Sequence, residues 1–248
     1  MLRAHLGSRG NLWPDELTRA TATALWQGMA GLADELLLAL EGAAGAASYP
    51  AGGDGRGAGW TGLSDSHRMR DYVLEAKRYV VPGAAAPGDA EAETGPGAWL
   101  TALPAHSDLT TLTLLAAGPS MGVEGGLEVW DWARGQWEVA AGLGAGDVVV
   151  NVGEFGEALS GGRLRSTPHR VRLRRSAQTT LAGQGRAWRE SVVLFAAPDA
   201  HTNVRSARLP PSKQSLDRAG FASLPPARYG IDHAVWDAEP LVGDHLPL

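Results

Sequence analysis

From residue 99 onward the apolar residues come in short runs at regular spacing, separated by Gly-rich turns. Leu109–Leu115 is β-branched and apolar. Gly126–Trp132 alternates, with Leu127, Val129 and Asp131 on one face and Glu128, Trp130 and Trp132 on the other. Asp147–Val152 is a continuous apolar run, as a strand buried on both faces requires. Pro168–Arg174 sets His169, Val171 and Leu173 against Arg170, Arg172 and Arg174, and successive strand residues point to opposite sides. Arg189–Ala196 is the last strong strand. Val73–Val81 reads as another ahead of the series, with Tyr79 near its end. Many short strands with one long helix predict a mainly β fold, a double-sheet jelly roll or double-stranded β-helix.

The helix is expected over residues 15–41. Pro14 and Asp15 suit its start and Gly42 its end. Leu25, Met29, Leu32, Leu36 and Leu40 form one apolar stripe at spacings of three and four, which calls for a larger apolar partner such as a sheet. Residues 42–66 and 83–98 are rich in Ala, Gly, Pro and Ser and read as loops. At 248 residues the chain fits a single domain. We expect a helical support over 1–45, the jelly-roll core over 46–207, and a C-terminal wrap over 208–248 with a weak helix near 212–220.

No cysteine is present, so disulfides and thiolate metal sites are excluded and any metal must sit on N and O ligands. The formal net charge of −5 argues against a general polyanion binder. Six arginines lie between 163 and 175, but they alternate outward, and we read them as a solvated face without an aromatic platform. Trp130 and Trp132 are expected to pack on the outer face. No run of 18 apolar residues and no secretory signal is found, so a cytoplasmic, monomeric protein without nucleic-acid or membrane partners is the expectation.

His106-Ser107-Asp108 carries the chemistry. Residues i and i+2 of a strand share a face, so both flanking side chains can point into the barrel. His169 lies on the inward apolar side of its own strand. Two imidazoles and a carboxylate can hold one face of Fe(II) and leave the opposite face open. Taken singly, each histidine also fits a satisfied core or surface position, and Asp108 a turn. Arg189 and Ser191 are again i and i+2. An inward guanidinium is costly unless it meets an anion, and with the serine hydroxyl it could bind a carboxylate. Read alone, it also fits a strand-end arginine reaching solvent.

Five ordered blocks then resemble the Fe(II)/2-oxoglutarate-dependent dioxygenases, and within them the isopenicillin N synthase-like, plant-type branch. They are His106-Ser107-Asp108 with Leu112 to Leu115, Gly126 to Val129, Gly146-Asp147 with Val148 to Gly153, Gly153 to Val171 around His169, and Arg189-x-Ser191 with Phe195 and Pro198. The likeness is strong over about residues 70–200 and touches Asn11-Leu12-Trp13-Pro14. It implies His106, Asp108 and His169 as iron ligands, Arg189 and Ser191 on the distal carboxylate of 2-oxoglutarate, and Tyr79 as a further cosubstrate contact. It also implies use of O₂, decarboxylation of 2-oxoglutarate to succinate, and hydroxylation or desaturation of a small organic molecule.

The chain departs from that pattern at several places. Lys77 stands where an asparagine is usual, Gly156 where a leucine is usual, and Gly161-Gly162 where Asn-Gly is usual. Extra residues near 174–186 separate His169 from Arg189. Relatives of this branch also carry further residues ahead of the Asn11 region. Two alternatives therefore stay open: an iron and O₂ oxidase that does not use 2-oxoglutarate, and a truncated, catalytically silent binding or regulatory protein.

Overall fold

The computed structural model describes residues 2–5, 13–43, 63–81, 99–140, 146–160, 164–175, 187–200 and 202. In chain order the elements are β1 (Leu2–His5), α1 (Glu16–Ala43), a 3-10 turn (Asp65–His67), β2 (Val73–Val81), β3 (Leu100–His106), β4 (Leu112–Met121) and β5 (Val123–Asp131). β6 (Gln136–Val139), β7 (Val148–Val152), α2 (Glu154–Leu159), β8 (His169–Arg175) and β9 (Ala187–Ala196) follow. The strands form two antiparallel sheets, one ordered β1-β2-β9-β4-β7 and the other β3-β8-β5-β6. This is the two-sheet jelly roll that the spacing of short strands predicts.

Alternation assigns each strand two faces. On the five-stranded sheet Leu74, Leu112, Leu114, Leu194 and Ala196 are buried on the side that α1 covers. Val81, Val171, Leu173 and Ala187 are buried between the sheets, with Tyr79, Leu100 and Leu103 packed beside them. Glu75, Lys77, Tyr79, Arg189, Ser191 and Val193 share that inner side, because register pairs Glu75 with Val193, Lys77 with Ser191 and Tyr79 with Arg189. One strand thus supplies a dry core with its even residues and a polar cavity wall with its odd ones.

Asp15 starts α1 by accepting a hydrogen bond from the backbone N–H of Thr18 at 2.6 Å. The helix runs one residue past Gly42, and its buried stripe is Met29, Ala30, Ala33 and Leu37 rather than the leucine series expected. Leu25 stays largely exposed, while Leu32, Leu36 and Leu40 pack at the margin. The small side chains of Ala30 and Ala33 explain the shift: they let the helix axis approach the sheet closely, and the bulky leucines flank the contact. Trp26 Nε1 donates to the carbonyl of Tyr72 at 3.1 Å, and the Tyr72 hydroxyl donates to Asp34 Oδ1 at 2.9 Å, tying the helix to the chain entering β2.

β1, β3, β6 and α2 lie outside the elements that the pattern predicts. β1 pairs along β2 at a sheet edge, so the segment expected to be a helical support also adds a strand. The stretch 42–66 is not loop throughout, since Gly42 and Ala43 are helical and Leu63 and Ser66 are buried. The expected C-terminal wrap and its weak helix lie outside the described residues. No helix among the described residues is long and apolar enough to cross a membrane.

The reading of the arginine run needs a correction. Arg170 stacks over Trp137 at 4.3 Å, and Arg174 over Trp99 at 4.9 Å, so aromatics do accompany the cations. The same guanidiniums pair with Glu128 at 2.6 Å and with Glu124 at 2.7 Å. Trp130 meets Trp137 edge-on at 5.4 Å, in the outer-face packing role expected of it.

The turn from β7 into α2 packs against the loop that follows β3. The N–H of Glu154 donates to the carbonyl of Asp108 at 2.8 Å, and that of Gly153 to Thr111 at 3.1 Å. A Cβ on Gly153 would stand 2.2 Å from the Thr110 carbonyl oxygen and 2.7 Å from that of Asp108, far inside contact distance. Gly153→Ala is therefore expected to lose about 1–3 kcal/mol of stability. Gly28→Ala, in open space on α1, should instead gain up to about 1 kcal/mol. Urea unfolding midpoints of the two variants check both signs.

Candidate functional site

His106 ends β3 and His169 begins β8, and the two are direct partners across the strand pair. Register shifts at Leu103 re-aim the end of β3, so the rings lie 4.4 Å apart, centroid to centroid, tilted by 55°. Asp108 sits two residues past His106, and its Oδ1 is 3.5 Å from Nε2 of each histidine. The three donor atoms lie within 4.8 Å of one another. The structure therefore brings together all three residues that the spacing singled out.

The surroundings select the atoms that face inward. His106 Nδ1 is 2.8 Å from the carbonyl oxygen of Pro104, and His169 Nδ1 is 3.2 Å from that of Thr167. A carbonyl only accepts, so each Nδ1 carries the proton and donates, leaving both Nε2 lone pairs aimed at the common point. Burial lowers the proton affinity of His169 and outweighs the attraction of Asp108, so the ring favours the neutral form that can bind a cation. Burial opposes charge on Asp108 too, but without a metal the attraction of His169 and His106 in their protonated forms outweighs it and holds the carboxyl well below the usual carboxylate range. Two imidazole nitrogens and one carboxylate oxygen, all on inward-facing atoms, fit a divalent first-row metal with open positions.

A second group lines the same space. Arg189 and Ser191 are buried on β9, at 8% and 2% exposure, and Tyr79 stands opposite Arg189 on β2. The Arg189 guanidinium crosses toward the other sheet, where a Cβ on Gly126 would lie 3.6 Å from its Nε. Burial lowers its pKa, with Tyr79 acting in the opposite direction. No carboxylate among the described residues pairs with it. A buried cation beside a serine hydroxyl and a phenol has the chemistry to receive an anion.

Three further features escape a reading of the sequence. There Lys77 is only a departure from a pattern, but it lies on the inner side, with Nζ 3.2 Å from the buried Glu75 carboxylate and 5.0 Å from the Phe195 ring centroid. Asn151 donates from Nδ2 to Asp108 Oδ2 at 3.0 Å. Its signal is the one polar side chain in the run Val148-Val149-Val150-Asn151-Val152. Gly156 has a local reason: a Cβ there would be 2.4 Å from the carbonyl oxygen of Thr111. A leucine does not fit at this point of α2, so the departure follows from the close seating of α2 on the Asp108 loop.

A family model described as the 2OG-Fe(II) oxygenase superfamily matches residues 86–198. A UPF0676 protein from Schizosaccharomyces pombe is 27% identical over 144 residues, covering 56% of this chain and 37% of that relative. Among solved structures, a full-length Neurospora crassa protein in complex with alpha-KG superposes with a TM-score of 0.56 at 20% identity, over 82% of this chain and 59% of its own. JOX2, solved with 2OG, Fe and JA, superposes at 0.54 with 14% identity, over 96% of this chain and 54% of its own. The chain spans less than two thirds of the length of each of these relatives. At such identities the structural likeness speaks to the fold, and it agrees with the two-sheet jelly roll. The family match over residues 86–198, the two-sheet fold and the converging triad together make this chain similar to the 2OG-Fe(II) oxygenase superfamily.

Proposed function

We propose that the chain binds Fe(II) and 2-oxoglutarate and oxidises a small organic molecule by hydroxylation or desaturation. One observation carries this reading: the inward His106–Asp108–His169 donors share the space between the sheets with a buried guanidinium that no carboxylate among the described residues neutralises. His106 Nε2, His169 Nε2 and Asp108 Oδ1 would hold the metal. Bound there, Fe(II) supplies the O₂ chemistry by which 2-oxoglutarate loses CO₂ to become succinate while the substrate is oxidised.

The protein's own part is positioning and exclusion of water. Arg189, Ser191 and Tyr79 hold the distal carboxylate by charge-assisted hydrogen bonds, so the other end of the cosubstrate points toward the triad. Val171, Leu173 and Leu103 wall this space with apolar surface, which keeps the interactions in a low-dielectric setting. The oxidase reading without 2-oxoglutarate leaves Arg189 with no anion to meet, since Tyr79 is the one described group that offsets part of its burial. Placement in the isopenicillin N synthase-like branch rests on the order of the sequence blocks.

Fe(II)-loaded protein is expected to convert 2-oxoglutarate to succinate, and His169→Ala to abolish that conversion. Full turnover in this variant overturns the assignment. Arg189→Met should raise the stability of the ligand-free protein by about 1–4 kcal/mol, because it removes a buried cation that no carboxylate among the described residues pairs with. With Mn(II) in place of Fe(II), saturating 2-oxoglutarate should raise the melting temperature of the unaltered protein and leave that of Arg189→Met unmoved. Equal shifts in both proteins would place the cosubstrate elsewhere.

A further inference from the structure

The Asp108 carboxylate uses its two oxygens differently. Oδ1 stands 3.5 Å from both imidazole Nε2 atoms, while Oδ2 accepts from Asn151 at 3.0 Å. A carboxylate only accepts, so the Asn151 amide must present its nitrogen, and the pairing fixes the rotation of both groups. Asn151 is the register partner of Thr113, whose hydroxyl is 2.9 Å from that of Thr110. β7 and the turn after it therefore grip Asp108 itself at two points: through the Asn151 side chain on Oδ2 and through the Glu154 N–H on the Asp108 carbonyl.

A strand run of valines has no packing use for an amide at this position. We infer that Asn151 is a positioning residue that holds Asp108 as a one-oxygen ligand and keeps its second oxygen away from the metal. This rests on the metal reading above and adds to it. A carboxylate free to rotate can offer both oxygens to one cation and so occupy a position that cosubstrate or O₂ requires. With Oδ2 committed to Asn151, the protein spends three coordination positions and leaves the rest open. Partners of metal ligands act in this way: they set ligand orientation, and their loss commonly weakens metal affinity about 10–100-fold.

The test uses Co(II), whose visible absorption reports coordination number and geometry without turnover. Asn151→Leu removes the donor with a side chain branched in the same way, and Asn151→Thr removes it with a smaller residue that suits a strand, should the leucine variant fail to fold. The expected result is a Co(II) affinity about 10–100-fold weaker than that of the unaltered protein, together with a changed absorption envelope, at an unfolding midpoint that separates this from general loosening. Co(II) affinity within about twofold of the unaltered protein, well short of the loss that removal of a ligand's partner causes, and an identical spectrum would overturn the inference while leaving the metal site standing. Failure of the unaltered protein itself to bind Co(II), with His169→Ala indistinguishable from it, would overturn the metal reading and this inference together.

Discussion

β9 lies at the middle of the five-stranded sheet, hydrogen-bonded to β2 on one side and β4 on the other, and both halves of the molecule hang on it. Its even residues Val192, Leu194 and Ala196 face α1, and its odd residues Arg189, Ser191 and Val193 face the opposite sheet. The register with β2 and β4 fixes which neighbours each row meets. A slip of one residue would turn Arg189 into the helix interface and Leu194 into the cavity, and both changes are costly. Correct pairing of this strand is therefore the condition for the dry core and for the inward placement of Arg189 and Ser191 at the same time. The opposite sheet repeats the logic on β8, where His169, Val171 and Leu173 face in and Arg170, Arg172 and Arg174 face out.

Much of this is readable from the sequence because it depends on local alternation. Arg189 with Ser191, and His169 with Val171 and Leu173, follow from a period of two, which any strand must obey, whereas Asp108 lies just past the end of β3 and meets His106 from a loop. What escapes depends on distant partners. β1 is a strand because the β2 edge accepts it, and four residues carry no pattern of their own. The apolar stripe of α1 is misplaced in the sequence reading because large leucines mark a helix face by hydrophobicity, whereas Ala30 and Ala33 mark it by smallness. Asn151 sits 43 residues from Asp108, so only the folded sheet brings them together. Trp99, ahead of β3, and Trp137, on β6, stand under the arginines, and a reading confined to residues 163–175 could not contain them.

The two glycines after β7 join the fold to the site. Gly153 and Gly156 bring the start of α2 against the carbonyls of Asp108, Thr110 and Thr111, where no side chain fits. The Asp108 loop is thereby fixed by backbone hydrogen bonds along one side and by Asn151 at its tip. Precision in a ligand on a loop needs such support, because a turn has no ladder of its own to hold it. α2, which sequence periodicity does not reveal, is thus part of what makes Asp108 a placed ligand.

Charge balance ties the two halves of the cavity to each other. The inward side chains include two anions, Glu75 and Asp108, and two cations, Lys77 and Arg189, beside imidazoles of which His169 favours the neutral form. Lys77 already meets Glu75, so the remaining imbalance is spatial: a negative end at Asp108 and a positive end at Arg189. On the proposed reading a divalent cation enters at the negative end and a dianion reaches from the positive end to the metal. Together they add no net charge to a buried space, whereas either alone adds two units of one sign. Uncompensated charge of that size in a low-dielectric interior is heavily penalised. The same arithmetic gives Lys77 a reason that its usual asparagine counterpart would not supply, because without its ammonium the buried Glu75 carboxylate would repel the incoming dianion.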